Sequence, residues 1–170
     1  MEFLKLAKKR YACKKFDGRK ADREVLMQIL EAGRLAPTAK NLQERHIYVI
    51  ESKEGLEKID RLTPCRYGAS TVLIVAFHKK NVFTYPGGKR DSGIEDASIV
   101  ATHMMLAAAD AGVDSCWINF FDPDAAAKEF DLPEEEEILM LMDLGYAAEG
   151  TKALPNHDSR KELAETVSFL

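Results

Sequence analysis

The order of predicted elements along this 170-residue sequence favours an α+β or α/β domain built on one mixed sheet. Residues 71–77 (TVLIVAF) are continuously apolar and β-branched at several positions, which predicts a central buried strand. Residues 94–111 are small or apolar on nearly every side, which predicts a long helix that is buried all round. Because a small domain offers few ways to bury such a helix completely, we expect it to lie in a dimer interface.

The elements before the central strand follow from apolar spacing and capping residues. Residues 3–7 predict a short amphipathic helix that ends in a run of three basic residues. Asp22 is placed to cap a second helix, which should stop before Pro37. Residues 47–50 predict the first strand, and residues 56–62 predict the helix that follows it.

The elements after the long helix alternate between strand and helix. Gly112 is placed to end the long helix, and residues 115–121 (SCWINFF) predict a strand. Asp122 and Pro123 predict a helix start, with a capping side chain followed by proline at the first helical position. Residues 138–144 predict the last strand. No composition shift or linker divides residues 1–170, so we expect a single domain.

Composition excludes several classes of protein. The fractions of hydrophobic (46%) and charged (31%) residues are typical of a globular domain. The net charge of −4 argues against a nucleic-acid-binding protein, because such proteins usually carry a basic face. Charged residues interrupt the long apolar helix, so we expect no membrane span. The residues after Met1 lack the apolar core of a secretory signal, so we expect a cytoplasmic protein.

Cysteine and histidine spacing gives no sign of a metal centre. The three cysteines form no C-x-x-C pair, and the four histidines are dispersed, so we expect neither a zinc site nor a disulfide framework. Nothing marks Cys13 or Cys116 as a nucleophile beside a base, so both are expected to be inert thiols.

Two segments carry residue types that suit a ligand. Residues 10–16 (RYACKKF) group cations at a loop, which suits a phosphate but equally describes a solvated basic turn. Residues 36–43 (APTAKNLQ) are small and amide-bearing, which suits close approach to a planar ligand but also describes an ordinary turn. Neither segment alone decides between its two interpretations.

Taken together, the motifs resemble those of the FMN-dependent nitroreductase family. Residues 10–16 resemble its opening motif, and residues 31–43 (EAGRLAPTAKNLQ) resemble its A-P-S-A-x-N-x-Q loop. Residues 96–118 are similar to its central helix, glycine turn and S-C-W strand. The remaining matches are L-P-E at residues 132–134, L-G-Y at residues 144–146 and the basic residue Arg160 near the C-terminus. The resemblance covers nearly the whole chain in the right order.

The resemblance implies an α+β fold with a mixed, mainly antiparallel sheet flanked by helices, and a homodimer with FMN at the subunit interface. By the same resemblance, Arg10 and Arg160 would hold the phosphate, and Tyr11 and Ala12 would contact the phosphate or the ribityl chain through backbone groups. Lys14 would lie near the pyrimidine edge of the ring. A cation there stabilises the negative charge that reduced flavin bears near N1 and O2.

The other flavin contacts implied by the resemblance come from two further segments. Pro37, Thr38, Ala39 and Asn41 of the partner subunit would line the ring or the ribityl chain. On the other side of the flavin ring, the chain would pass along the ring at Ile118, Asn119 and Phe120. The chain departs from the family pattern at Ala12, where serine is usual, and at Glu44 and Arg45, where Pro-Trp is common.

The function implied is an oxidoreductase that moves reducing equivalents from NAD(P)H through FMN to an electron-poor acceptor such as a nitroaromatic or a quinone. No side-chain acid or base is required, so no catalytic residue is predicted. The departures at Ala12, Glu44 and Arg45 leave an alternative open, in which the chain is a flavin-binding carrier or sensor without efficient turnover.

Overall fold

A computed structural model describes residues 2–170 of the chain. The elements in chain order are α1 (Phe3–Lys9), α2 (Arg23–Arg34), β1 (Arg45–Ile50), α3 (Lys53–Leu62), β2 (Thr71–His78), α4 (Gly93–Asp110), β3 (Asp114–Ile118), α5 (Pro123–Glu129), β4 (Glu136–Gly145) and α6 (Leu163–Thr166). Short 3₁₀ turns lie at Ala39–Asn41 and Pro64–Arg66. Among the described residues, no helix is both long and apolar enough to span a membrane.

The four strands form one sheet in the order β1-β2-β4-β3, and every neighbouring pair is antiparallel. A parallel contact occurs at an isolated bridge between Ala12 and Ser115, which adds the segment after α1 to the edge strand β3. The prediction of an α+β fold with a mainly antiparallel sheet is therefore confirmed. The central strand β2 and its neighbour β4 are almost completely buried.

The sheet is covered on both faces because alternate side chains of a strand point to opposite sides. Leu73, Val75 and Met142 belong to one buried cluster, which includes residues of α2 and α4. Val72, Ile74 and Leu141 belong to a second buried cluster, which includes residues of α3 and α5. This two-sided burial explains why residues 71–77 are continuously apolar.

Within one chain, α4 is buried along one face only. Its buried residues recur every three or four positions: Gly93, Asp96, Ala97, Val100, Ala101, Met104 and Ala108. On the remaining surface, Ile94 is 58% exposed and Leu106 is half-buried. The burial on all sides that the sequence predicts is thus not reached by the fold of a single chain.

The sequence places most element boundaries within a few residues, with two corrections. Strand β3 ends at Ile118, so the predicted strand at 115–121 is too long: its last three residues extend beyond the pairing with β4. Asp22 stands at the cap position of α2, but its side chain makes no capping hydrogen bond. Asp122, in contrast, caps α5 as predicted, because its side chain accepts from the backbone N–H groups of Asp124 and Ala125.

Candidate functional site

The segment after α1 forms one wall of a cavity of about 270 Å³. The backbone N–H of Cys13 donates to the carbonyl of Ser115 at 2.9 Å, which holds the segment against β3. Gly112 adopts a φ of +76°, a conformation that glycine tolerates, and a Cβ there would meet open space. The cavity residues are Lys9, Arg10, Tyr11, Ala109, Gly112, Val113, Asp114 and Ser115. Two cations therefore stand at the turn where α4 ends.

Tyr11 and Asp114 add polar groups to this cavity. Burial, followed by the charge of Asp114, raises the pKa of Tyr11 to about 12, so its hydroxyl keeps its proton at neutral pH. The Oδ2 atom of Asp114 accepts from the backbone N–H of Ala147 at 2.8 Å, which engages part of the negative charge. The side chains of Cys13 and Asp114 engage the Tyr11 hydroxyl, so the cavity holds an acidic side chain as well as its two cations.

Lys14 lies on the other side of the same segment. Its Nζ donates to the hydroxyl of Tyr67 at 3.2 Å and stands 4.7 Å from the centre of the Tyr67 ring. Burial acts to lower the pKa of Lys14, but the hydrogen bond to Tyr67 and the neighbouring Cys116 outweigh it and raise the pKa overall. Lys14 is therefore a charged group held in one place. Tyr67 was not predicted from the sequence, because it lies 53 positions away in a turn without a motif.

The end of β3 presents the third predicted segment. Ile118 is buried, whereas Phe120 is 72% exposed. The Oδ1 atom of Asn119 accepts from Nε1 of Trp117 at 2.8 Å, which fixes the direction of the chain as it leaves the sheet. An exposed aromatic ring directly after a buried strand is available to a ligand or to a partner chain.

The loop at 37–43 is held in an unusual conformation. Lys40, Asn41 and Gln43 have φ values of 50°, 55° and 60°, a left-handed region that side chains other than glycine rarely adopt. The hydroxyl of Thr38 accepts from the backbone N–H of Gln43 at 3.0 Å, which closes the loop. Pro37 precedes this closed turn and is exposed.

Asp96, on the buried face of α4, anchors this loop. Its Oδ1 accepts from the backbone N–H of Ala39 at 2.8 Å, and its Oδ2 accepts from the hydroxyl of Ser92 at 2.7 Å. Asp96 is only 7% exposed, so these hydrogen bonds satisfy a carboxylate that would otherwise be costly to bury. The sequence did carry one signal for it, since an acidic residue among small apolar positions of a buried helix requires a partner.

Arg45, a departure from the family pattern, also ties down the loop. Its Nη1 donates to the carbonyl of Gln43 at 3.1 Å, and its Nη2 donates to the carbonyl of Arg34 at 3.3 Å. Arg45 thereby connects the Gln43 end of the loop to the C-terminal end of α2. The departure at Arg45 has a structural reason.

Arg160 does not line the cavity that contains Arg10. Its Nη1 donates to the backbone carbonyls of His157 and Ser159, within its own segment. It borders a second cavity, of about 470 Å³, together with Leu4, Ala7, Lys8 and Asp158. The C-terminal segment is tied to α1, because Nε2 of His157 donates to the carbonyl of Lys8 at 3.2 Å.

Two groups of predicted site residues lie at opposite ends of α4. Arg10 and Tyr11 share a cavity with Ala109, near the end of the helix, whereas Ala39 is bonded to Asp96, near its beginning. Asp96 and Ala109 are thirteen residues apart. At the rise of an α-helix this separation is about 20 Å. One chain therefore does not bring the two groups around a single ligand.

The residues near Arg10 fit the phosphate end of FMN, but one chain does not enclose the whole cofactor. Lys9 and Arg10 supply two positive charges, against the single acidic side chain of Asp114 in the same lining. The cavity volume of about 270 Å³ lies just below the range of roughly 300–1,000 Å³ that is usual for pockets enclosing a small molecule. The donor set thus suits a phosphate, while the planar ring needs a further wall.

Comparison with known proteins identifies the family. The model of the nitroreductase family matches residues 7–65 and 64–146. A crystal structure of a nitroreductase family protein from Clostridium difficile 630 is 36% identical, covers 99% of this chain and 98% of that chain, and superposes with a TM-score of 0.93. An FMN-dependent nitroreductase from Clostridium difficile R20291 is 27% identical, covers 98% of each chain and gives a TM-score of 0.77.

A curated relative points the same way. A protein of Methanothermobacter thermautotrophicus, provisionally named as an NADH dehydrogenase/NAD(P)H nitroreductase, is 28% identical over 168 residues. The alignment covers 93% of this chain and 85% of that protein. With the family model matching most of the sequence, the chain belongs to the nitroreductase family.

Proposed function

We propose that the chain is an FMN-dependent oxidoreductase that acts as a homodimer and passes reducing equivalents from NAD(P)H to an electron-poor acceptor such as a nitroaromatic or a quinone. At the coarser level it is a nitroreductase-type, NAD(P)H-dependent oxidoreductase, and FMN is its cofactor. The homodimer, the class of acceptor and the residues that hold the flavin are the parts that we add.

The residues on the Arg10 side would bind and orient the cofactor. Lys9 and Arg10 would neutralise the phosphate, and the cavity at the end of α4 would hold it. Lys14 would place its ammonium at the pyrimidine edge of the flavin, where its hydrogen bond to the Tyr67 hydroxyl restrains the side chain. When bound, FMN supplies the redox chemistry, accepting a hydride from the nicotinamide and passing electrons to the acceptor. The protein contributes binding, orientation and positive charge.

The separation of the two residue groups along α4 is the observation that carries the homodimer. If two copies of α4 pack antiparallel about a two-fold axis, the Asp96 end of one helix lies beside the Ala109 end of the other. The Ala39 loop of one subunit would then cover the cavity at Arg10 of its partner. In this arrangement two incomplete sites become two complete ones.

Exposed apolar side chains support the same arrangement. Ile94 on α4 is 58% exposed, and Phe3 and Leu4 on α1 are 63% and 65% exposed. Near the C-terminus, Leu163 is 78% and Phe169 is 98% exposed. Apolar surface concentrated on a central helix and on both chain ends is typical of a face that a partner covers. The second copy would complete the burial of α4 that the sequence predicts.

Anaerobic reduction tests the proposed function. Purified protein loaded with FMN is mixed with NADH or NADPH without oxygen, and the flavin absorbance is followed. The proposal predicts rapid bleaching, and return of the colour when a quinone or a nitroaromatic is added. Protein that binds FMN but stays yellow with both nucleotides would instead be the carrier or sensor, and protein that binds no FMN would contradict both.

A further inference from the structure

Asp143, on β4, is a buried carboxyl group to which the proposed function gives no role. Its side chain is fully buried, on the sheet face opposite α4. Within residues 2–170, no hydrogen-bond donor reaches either of its carboxyl oxygens. An unpartnered buried carboxyl is unusual, because burial without hydrogen bonds strongly disfavours its ionised form.

The register of the sheet leaves only β3 between Asp143 on β4 and the segment that contains Lys14. Asp143 pairs with Cys116 on β3, and Cys116 lies beside the ammonium of Lys14. The charged and titratable groups that face the carboxyl come from four parts of the fold. They are Cys13 and Lys14 after α1, Asp60 on α3, Cys65 and Arg66 in the 3₁₀ turn, and Cys116 on β3.

Of the two cations in this group, Arg66 is already paired. Its Nε and Nη2 each lie 2.7 Å from the carboxylate oxygens of Asp60, and its Nη1 donates to the carbonyl of Ala69 at 2.6 Å. Lys14 donates instead to the neutral hydroxyl of Tyr67. The unbalanced positive charge near Asp143 is therefore that of Lys14.

The protonation states around Asp143 follow from burial. Burial raises the pKa of Asp143 to about 9, against the opposing effects of Arg66 and Lys14, so the carboxyl is neutral at pH 7. Burial also raises the pKa of the Cys13 and Cys116 thiols, which agrees with their expected inertness. At neutral pH the cluster therefore leaves the charge of Lys14 uncompensated.

We propose that Asp143 is a positioning residue that acts through Lys14 and couples its own proton to the redox state of the flavin. This inference rests on the proposed function, because it takes Lys14 to adjoin the pyrimidine edge. With oxidised flavin in alkaline solution, ionised Asp143 compensates Lys14. Reduction of a bound flavin by NAD(P)H would place negative charge beside Lys14, and the Asp143 carboxylate, no longer needed to compensate Lys14, would take one proton from solvent. The hydride stays on the flavin, and no covalent bond other than this O–H forms on Asp143.

Proton uptake during reduction provides the test. FMN-loaded wild type and Asp143→Asn are reduced anaerobically with one equivalent of NADPH in weakly buffered solution, and a pH indicator reports protons bound per flavin reduced. Near pH 9 about half of the Asp143 carboxyls are ionised, so we expect wild type to take up more protons than Asp143→Asn, by up to about 0.5 per flavin. Near pH 6.5 the two should agree, because Asp143 is then protonated in both redox states.

Two further readouts separate the failure of this inference from that of the proposed function. Infrared spectra of wild type at pH 7 should contain a protonated-carboxyl band that Asp143→Asn lacks. Lys14→Met should remove the extra proton uptake while keeping that band. Wild type that binds FMN and is reduced by NADPH, but takes up no more protons near pH 9 than Asp143→Asn, would contradict the coupling. The proposed oxidoreductase function would be unaffected by that result. If wild type binds no FMN, both proposals fall.

Discussion

Asp96 and Asp143 are both buried carboxyl groups, on opposite sides of one sheet, and their surroundings differ completely. Asp96 accepts hydrogen bonds from the Ala39 backbone and the Ser92 hydroxyl, and it thereby fixes a loop. Asp143 accepts none from the described residues, and it stands among thiols, apolar side chains, the Arg66–Asp60 ion pair and one uncompensated lysine. The first carboxyl stabilises structure through its hydrogen bonds, whereas the second costs stability whenever it is forced to ionise.

The largest expected effect is on the pH dependence of stability at Asp143. Its pKa is about 9 in the folded chain and near 3.8 without the fold, so the folded state holds a proton that the unfolded state releases. Stability from this group is therefore complete below about pH 4 and is lost as the pH rises toward 9. Between pH 4 and pH 7 this loss is on the order of 4 kcal/mol.

Denaturant unfolding of wild type and Asp143→Asn at several pH values measures this effect. The difference in free energy of unfolding, Asp143→Asn minus wild type, should be about 4 kcal/mol larger at pH 7 than at pH 4. A constant cost of burying the amide cancels in this comparison. Parallel pH profiles for the two proteins would mean that Asp143 is ionised and paired in the fold.

Removal of the Asp96 carboxyl should lower the free energy of unfolding at pH 7, in contrast to removal of the Asp143 carboxyl. Asp96→Ala removes two hydrogen bonds to a carboxylate and leaves the Ala39 N–H without its acceptor. We expect a loss of about 2–3 kcal/mol in the free energy of unfolding at pH 7. Glu95→Ala is the matched control, because Glu95 is exposed and accepts from the Tyr85 hydroxyl at the protein surface; its expected cost is about 0.5 kcal/mol. Equal losses in the two variants would show that Asp96 does not anchor the loop.

Flavin binding should separate Arg10 from Arg160. Arg10→Ala should weaken FMN binding by about 1.5–3 kcal/mol if one charge-assisted contact is lost. Arg160→Ala should weaken it less, because the Arg160 guanidinium is engaged by carbonyls of its own segment and borders a different cavity. Fluorescence titration of FMN into each flavin-free variant gives the affinities. A larger loss of affinity in Arg160→Ala than in Arg10→Ala would show that the phosphate does not bind in the Arg10 cavity.

The sequence predicts the fold well because apolar spacing reports burial. The run at 71–77 and the capping pair Asp122 and Pro123 gave a strand and a helix start that the structure confirms. The strand at 115–121 was predicted too long, because three further apolar or amide residues continue the pattern after pairing with β4 stops at Ile118. Local pattern alone does not show where a neighbouring strand ends.

The site was harder to predict because it depends on contacts between distant residues. Asp143 lies within an apolar run (ILMLMDLG) that correctly indicates a buried strand, but the run does not reveal which cations face it. The partnership of Lys14 with Tyr67 and that of Ala39 with Asp96 each join residues more than fifty positions apart. Arg160 was grouped with Arg10 by resemblance, and the structure places the two side chains in separate cavities.

Mixed dimers test most directly the central claim that each flavin site is built from two chains. Arg10→Ala should damage the phosphate side, and Ala39→Phe should block the ring side while keeping the backbone N–H that bonds Asp96. Each variant alone should bind FMN poorly at both sites. A tagged heterodimer of the two variants combines both lesions in one site and leaves the other intact. We therefore predict one FMN per heterodimer, bound with wild-type affinity, whereas no recovery of binding would show that each chain builds its site alone.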